Sequence, residues 1–511
     1  MNNSAANTTS TIRFHSAYNP LKEAERFVAN SLKDKKPGII VVLGPGENYI
    51  KQILDTNFSY AKKYYIQPCT IFDTNETEDP YYWSPSNTMP LKDFLHKILY
   101  DEYSGAGIAV LEWEPVTRTF EKDSAYIRNE LAKILAATAS EKATIAYWSR
   151  RWITNSIKFS KSVKTILTID TISKPIAIIA SGPGLQEHLE FLKKNKISFF
   201  IICIASALPA LVEHNCIPDA VFLSDPGYWN TFHTRILKNH SIPIIMPPSA
   251  RLPSELFDRE FIVINTHLIF ETLAIQALQC PCYTAKAFGT SVGTALDFAL
   301  SITNKEVFIF GFDLSAYDIT SHCMPYAFLN LSLQNDSRLM PFHAKQYSEV
   351  LEQFPETCGR WRFSRSFNTY AQELPISAGN KNRIIRFSES PIGSLNESIA
   401  LITKNFFTYN FSLLNRKITP HIFSKKLCSE QIPITKLLSN YFTDIIKKLQ
   451  IIPNATLSYD EIIFLKAISI KKFNEFFALA IRKELTPEHI DSFITICSDE
   501  FSALLQRYDI T

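Results

Sequence analysis

The sequence predicts an α/β protein: two Rossmann-like domains with mostly parallel sheets, followed by a helical C-terminal domain. Three observations lead there. Short apolar runs bounded by Gly, Pro, Ser or Asp recur from Gly38 to Gly311. Helical patterns lie between several of them, as a parallel sheet covered on both faces requires. Beyond residue 395 these runs give way to helical periodicity.

Taken in order, residues 1–12 are expected to be a disordered N-terminus. Their start, MNNSAANTTS, lacks the basic residues and apolar run of a secretory signal. Asn19 and Pro20 open a helical stretch, LKEAERFVANSL. From Gly38, GIIVVLGPGENYIKQIL reads as a buried strand, a glycine-containing turn and a helix, the start of a βα unit. Further apolar runs at Tyr64–Ile66, Gly107–Leu111 and Ala143–Trp148 complete an N-terminal α/β domain over residues 13–165.

A central α/β domain is expected over residues 166–395. Its strands are IAIIA (176–180), FFIICIA (199–205), AVFLS (220–224), PIIM (243–246), FIVIN (261–265) and VFIFG (307–311). From 314 to 395 the periodicity fades, and the many aromatics there, among them Tyr317, Tyr326 and Trp361, suggest an ordered lid. Residues 396–511 read as a helical domain. Ser458 to Glu461 (SYDE) spells a capping box, and Pro487 sits at a first helical position.

Composition narrows the function. A chain of 511 residues is too long for one core. Hydrophobic residues at 46%, charged residues at 20% and a net charge of +3 describe a globular protein without a nucleic-acid footprint. The apolar stretch Phe199–Val212 is broken by Pro209 and falls short of the roughly 20 residues that span a bilayer. The nine cysteines are scattered, and the nearest two, Cys280 and Cys282, cannot complete a zinc site. Reduced thiols and a cytoplasmic setting follow as expectations.

Four turns could carry chemistry. At Ser181, Gly182, Pro183 and Gly184 a strand enters a helix. Two glycines there allow close backbone approach, and the helix start offers N–H groups to an anion. The spacing fits neither the Walker loop nor the dinucleotide fingerprint, and a purely geometric need for glycine is the alternative. Asp225 follows AVFLS at a strand's carboxyl end, placed either to bind a sugar hydroxyl or to cap the next turn. In FGTSVGT, Gly289 and Gly293 bracket Thr290 and Ser291 at a helix start, suited to an anionic ligand or to plain capping. Asp313 follows VFIFG and could fix its own loop or touch ligand.

Among eleven histidines, His267, His322 and His343 lie in or beside the expected ligand-facing loops. His343, in its irregular setting after Phe342, is the candidate general base. His188 and His214 sit on helical patterns and are expected at the surface. The chain contains no Asp-x-Asp, the common metal–diphosphate device of nucleotide-sugar enzymes. A metal-free donor carrying a single phosphate suits it better, and neither a metal nor a resident cofactor is expected.

The blocks IIASGPGL, IPDAVFLSDP, FGTSVGTALDFAL and VFIFGFDLSAY, in this order, resemble the central domain of the motility-associated factor family of flagellin glycosyltransferases. HSAYNPLKEAERFV, VVLGPGENY and the wording around Arg360 to Leu374 extend the resemblance from Phe14 to Ser390. It implies transfer of a nonulosonic acid, of pseudaminic or legionaminic type, from a CMP-activated co-substrate to Ser or Thr of flagellin. The central domain is similar in turn to bacterial sialyltransferases. There a TSG turn and tyrosines beside a YAF stretch hold the CMP phosphate, while a downstream histidine takes the acceptor proton. By that likeness Ser291 and Tyr326 stabilise the departing phosphate, and His343 is the base. Ser206 and Tyr317 join Gly182, Pro183 and Gly184 in contacting nucleotide or sugar. The central domain is also similar to archaeal pterin pyrophosphokinases, so an ATP-using enzyme is one alternative. A non-catalytic flagellin-binding protein is another.

Overall fold

The computed structural model describes residues 13–73, 79–102, 107–387, 389–398, 400–401, 423–451 and 457–509. The expected disordered terminus, 1–12, lies outside them. Contacts divide the chain into two units, residues 1–149 with 442–510 and residues 150–441. These divisions differ from the domain boundaries expected at 165 and 395. The C-terminal helices thus share a unit with the N-terminal sheet.

In the first unit, β1 (Ile39–Leu43), β2 (Lys62–Ile66), β3 (Tyr82–Trp83) and β4 (Ile108–Glu112) form a parallel sheet in the order β3-β2-β1-β4. All five β1 residues are buried, which is why that strand reads as an unbroken apolar run. The helix Pro20–Ser31 is capped by Asn19, whose side chain accepts from the Lys22 N–H at 2.9 Å. The run at 143–148, expected as a strand, lies inside the helix Glu121–Ser162. A run that short fits either state, and flanking helix formers decide for the helix. The capping box before Tyr459–Ile481 is formed: Glu461 N–H donates to Ser458 Oγ at 3.2 Å, and Ser458 N–H to Glu461 Oε2 at 2.6 Å. The helix Pro487–Asp509 begins on its proline, and Phe493 stacks on Phe476 with ring centroids 4.3 Å apart.

The second unit is organised by one large sheet. Its early strands are β5 (Thr165–Ile169), β6 (Ile176–Ile179), β7 (Phe200–Ile204), β8 (Ala220–Phe222), β9 (Ile244–Met246), β10 (Glu260–Asn265), β11 (Tyr283–Thr284) and β12 (Val307–Phe310). Then come β13 (Ala316–Tyr317), β14 (Glu356–Cys358), β15 (Trp361–Phe363), β16 (Ile384–Arg386), β17 (Ala400–Leu401) and β18 (Phe423–Leu427). The order is β17-β16-β12-β6-β7-β8-β9-β10-β5-β18, with β11 beside β10. Every pairing in this sheet is parallel except β18 with β5. Alternate residues feed two cores: Ile179, Ile201 and Phe310 pack on one face, and Ile178, Ile202 and Ile309 on the other. Both faces are therefore apolar, and the strands show no polar alternation.

Two expectations change here. The segment 314–395 is not one irregular lid. It holds the antiparallel sheet β13-β15-β14, the helices Leu329–Gln334, Phe342–Gln353 and Arg365–Gln372, and β16 of the main sheet. Strands of two or three residues are too short to leave a period in sequence. Nor is 396–511 wholly helical, since β18 adds an antiparallel edge to β5.

Candidate functional site

From β6 the chain steps through β7 and β8 in one direction, then returns as β12 on the other side of β6. Open parallel sheets bind ligands at the carboxyl ends of strands beside such a reversal. Ser181 to Gly184 follow β6 at this point, and Gly311 to Asp313 follow β12.

The two turns lock together. Gly182 N–H donates to Gly311 O at 2.8 Å, and Gly184 N–H to Asp313 Oδ2 at 2.7 Å. A Cβ on Gly182 would run into the Asp313 carboxylate and the Gly311 carbonyl. Gly311 has φ +67°, and a Cβ there would strike Ala180 O. The glycines therefore admit Asp313, and the amide offered to an anion by sequence is already bonded. Pro183–His188 is a 3₁₀ turn of six residues. Asp313 is 1% exposed. Its charge opposes the effect of burial on Arg386, which lowers that guanidinium to about 10. Arg386 in turn donates to Asn396 Oδ1. Asp313 is thus a structural carboxylate.

Farther along the edge, serine hydroxyls meet in pairs. Ser206 Oγ donates to Ser181 Oγ at 2.9 Å, and Ser224 Oγ lies 2.9 Å from Ser291 Oγ. All four residues are half-buried. Thr290 caps the helix Ser291–Ile302 by accepting from Gly293 N–H at 3.1 Å, the capping alternative. Gly289 faces the Tyr370 ring, where a Cβ would collide. Asp225 is exposed, and its Oδ1 accepts from Gly227 N–H at 2.7 Å, so it caps its own turn.

The segment after β13 closes on the serines. Cys323 N–H donates to Ser181 O at 2.8 Å, and Met324 N–H to Gln186 Oε1 at 3.1 Å. Just before Cys323, His322 lines a cavity of about 640 Å³ with Trp229, His233, Tyr326, Phe328 and Lys345. Tyr326 also borders a second cavity of about 950 Å³, lined by Phe232, Arg235, Asn330 and Gln334. Both volumes suit a small organic ligand. The His322 and Tyr326 rings lie 6.1 Å apart.

Burial, assisted by His233, lowers the His322 pKa to about 4. Burial lowers His233 as well, and its Nδ1 is enclosed without a hydrogen-bond partner. Both imidazoles are therefore neutral at pH 7, each with one unprotonated ring nitrogen. Ser321 Oγ lies 3.0 Å from His322 Nδ1.

His343 falls elsewhere. It is exposed on the first turn of Phe342–Gln353, 3.3 Å from Gln346 Oε1, and outside both cavity linings. Tyr317 packs edge-on against Trp361, ring centroids 4.8 Å apart, beneath the Arg360 guanidinium, also outside both linings. His188, expected at the surface, is half-buried and bonded through Nε2 to Phe387 O at 2.5 Å. His233 was missed in sequence; its one signal is the aromatic run Tyr228, Trp229 and Phe232 just before it. Among the described residues no group of three or more His, Cys, Asp or Glu could hold a metal ion, and no helix is long and apolar enough to cross a membrane.

Fold and site together define an α/β protein whose central parallel sheet carries hydroxyl-rich loops and cavities at its carboxyl edge. Residues 150–318 match a family model described as 6-hydroxymethylpterin diphosphokinase MptE-like. A curated protein of Treponema pallidum (strain Nichols), described only as uncharacterized, is 25% identical over 275 residues, or 54% of this chain. The match spans 61% of that relative's length. The solved structure of the MAf glycosyltransferase from Magnetospirillum magneticum AMB-1 aligns over 98% of this chain and 85% of its own, with TM-score 0.49 and 12% identity.

Proposed function

We infer that the chain is a metal-independent glycosyltransferase, moving a nonulosonic acid from a CMP donor to a Ser or Thr hydroxyl of flagellin in the cytoplasm. The observation carrying this reading is the neutral, half-buried His322 beside Tyr326 in a cavity tied to the switch-point serines. The ordered motif blocks from Ser181 to Tyr317 support the choice of donor.

In this mechanism the Ser206 and Ser291 hydroxyls hold the donor phosphate, and the Tyr326 hydroxyl donates to it as it leaves. His322 takes the acceptor proton as the acceptor oxygen bonds to the anomeric carbon. The bond from that carbon to the phosphate oxygen breaks, and CMP departs with the electron pair. The base role passes from His343 to His322 because His322 lines the cavity and His343 faces solvent. Incubation with CMP-pseudaminic or CMP-legionaminic acid and flagellin should raise flagellin mass by one sugar residue. An unchanged mass with both donors and folded partners refutes the reading.

The description of the matching family model favours a second reading, diphosphate transfer from ATP to a pterin. That enzyme would release AMP from ATP with magnesium and hydroxymethylpterin, and would not need CMP. A non-catalytic flagellin-binding protein would give no heat on titration with either nucleotide.

A further inference from the structure

Away from both cavities, Lys158 and Arg251 lie near enough for the charge of one to act on the other, and among the described residues neither is paired with an acid. The last turns of Glu121–Ser162 run beside the loops that follow β8 and β9. Asn155 fixes that approach, its Nδ2 donating to Pro226 O at 3.2 Å and to Ser249 O at 2.8 Å. Lys158 lies three residues on, hence on the same helix face. Arg251 lies two residues past Ser249. Its own N–H donates to Asp225 O at 2.9 Å, and its carbonyl accepts from Asn230 Nδ2 at 3.0 Å. The Arg251 backbone is therefore held rigidly against the β8 loop.

Both side chains are half-buried. Burial lowers the Lys158 pKa, and the nearby Arg251 charge lowers it further. Arg251 Nε is enclosed and has no hydrogen-bond partner. The carboxylates in the neighbourhood are engaged otherwise. Asp225 Oδ1 accepts from Gly227 N–H, and buried Glu271 accepts from Ser249 Oγ, Thr266 N–H and Thr266 Oγ1. Among the described residues, no acid acts on Lys158, and neither Lys158 nor Arg251 has a carboxylate ion-pair partner. Two like charges drawn out of water and left uncompensated oppose folding unless something of opposite sign joins them.

We propose that Lys158 and Arg251 form an oxyanion-binding site at the β8–β9 edge of the central sheet, taking a phosphate or carboxylate group. The guanidinium fork suits two oxygens of one group, and the ammonium supplies a point charge beside it. The site lies outside the residues lining the two cavities, and its occupancy does not depend on the transfer reaction.

The test uses the full chain at constant ionic strength. Inorganic phosphate, and separately acetate, is titrated by calorimetry against wild type, Lys158→Gln, Arg251→Gln and Lys158→Arg. The expected result is saturable phosphate binding in wild type and Lys158→Arg, weakened about tenfold or more in both Gln variants, as loss of a charge-assisted bond implies. Parallel acetate binding would mark a carboxylate-accepting site; phosphate binding alone would mark a phosphate site. Without anion, Lys158→Gln should melt no lower than wild type, because it relieves repulsion. If Arg251→Gln does not fold, the two Lys158 variants carry the comparison. Absence of saturable binding in wild type, or equal affinity in Lys158→Gln, overturns the proposal.

Discussion

Replacing His322 by Gln should flatten the dependence of stability on acid. The folded chain holds His322 at about 4, against 6.5 when unfolded, chiefly through burial and secondarily through His233. Between those values the unfolded chain binds a proton that the folded chain refuses. Stability from this group is therefore complete above pH 6.5 and falls as pH drops toward 4. At about 1.4 kcal/mol per pH unit, the interval from pH 7.5 to 4.5 is worth ~2.5 kcal/mol, an upper bound because the residue keeps some solvent contact. His233, Tyr326, Lys345 and Glu349 share the cavity, so the variant must be compared with wild type at each pH. Denaturant unfolding followed by tryptophan emission suits the purpose, as Trp229 lies in the same lining. Wild type should lose up to about that much more than His322→Gln over this range. Parallel stability curves would refute the lowered proton affinity of the half-buried imidazole.

Other expectations follow from the same geometry. His322→Gln should slow sugar transfer by about 10²- to 10⁴-fold, the usual contribution of a general base, whereas His343→Ala should leave the rate unchanged in a mass-shift assay. Tyr326→Phe should lower kcat on the order of 10²-fold without moving the unfolding midpoint, since it removes one donor to the leaving phosphate. Gly182→Ala drives a methyl group against the Asp313 carboxylate and the Gly311 carbonyl. It should cost about 1–3 kcal/mol and speed amide exchange in β6 and β12. Ser458→Ala removes the cap of Tyr459–Ile481 and should cost about 1 kcal/mol in denaturant unfolding.

Much of the fold was legible because it is written locally. The runs from Ile176 to Phe310 are continuous and apolar since both faces of the sheet are covered, and each became a strand. The caps at Asn19 and Ser458 depend on residues three apart, so spelling alone located them. The run at 143–148 misled because so short a run, apolar but for Thr144, fits a helix as readily as a strand. The strands between 316 and 363 escaped because they are too short to repeat.

What the sequence by itself determined is the alternation of strands and helices, the glycine turns and the edge of the central sheet where polar loops gather. Tertiary structure alone decided what those loops do. Asp313 meets Gly184 from 129 residues away and turns an apparent anion cradle into an internal bond. His322 acquires its neutrality from burial and from His233, and Lys158 its burden from Arg251, pairings that no local spacing encodes. Periodicity reports which face of an element is covered; charge, burial and proton affinity depend on which distant chain segment does the covering.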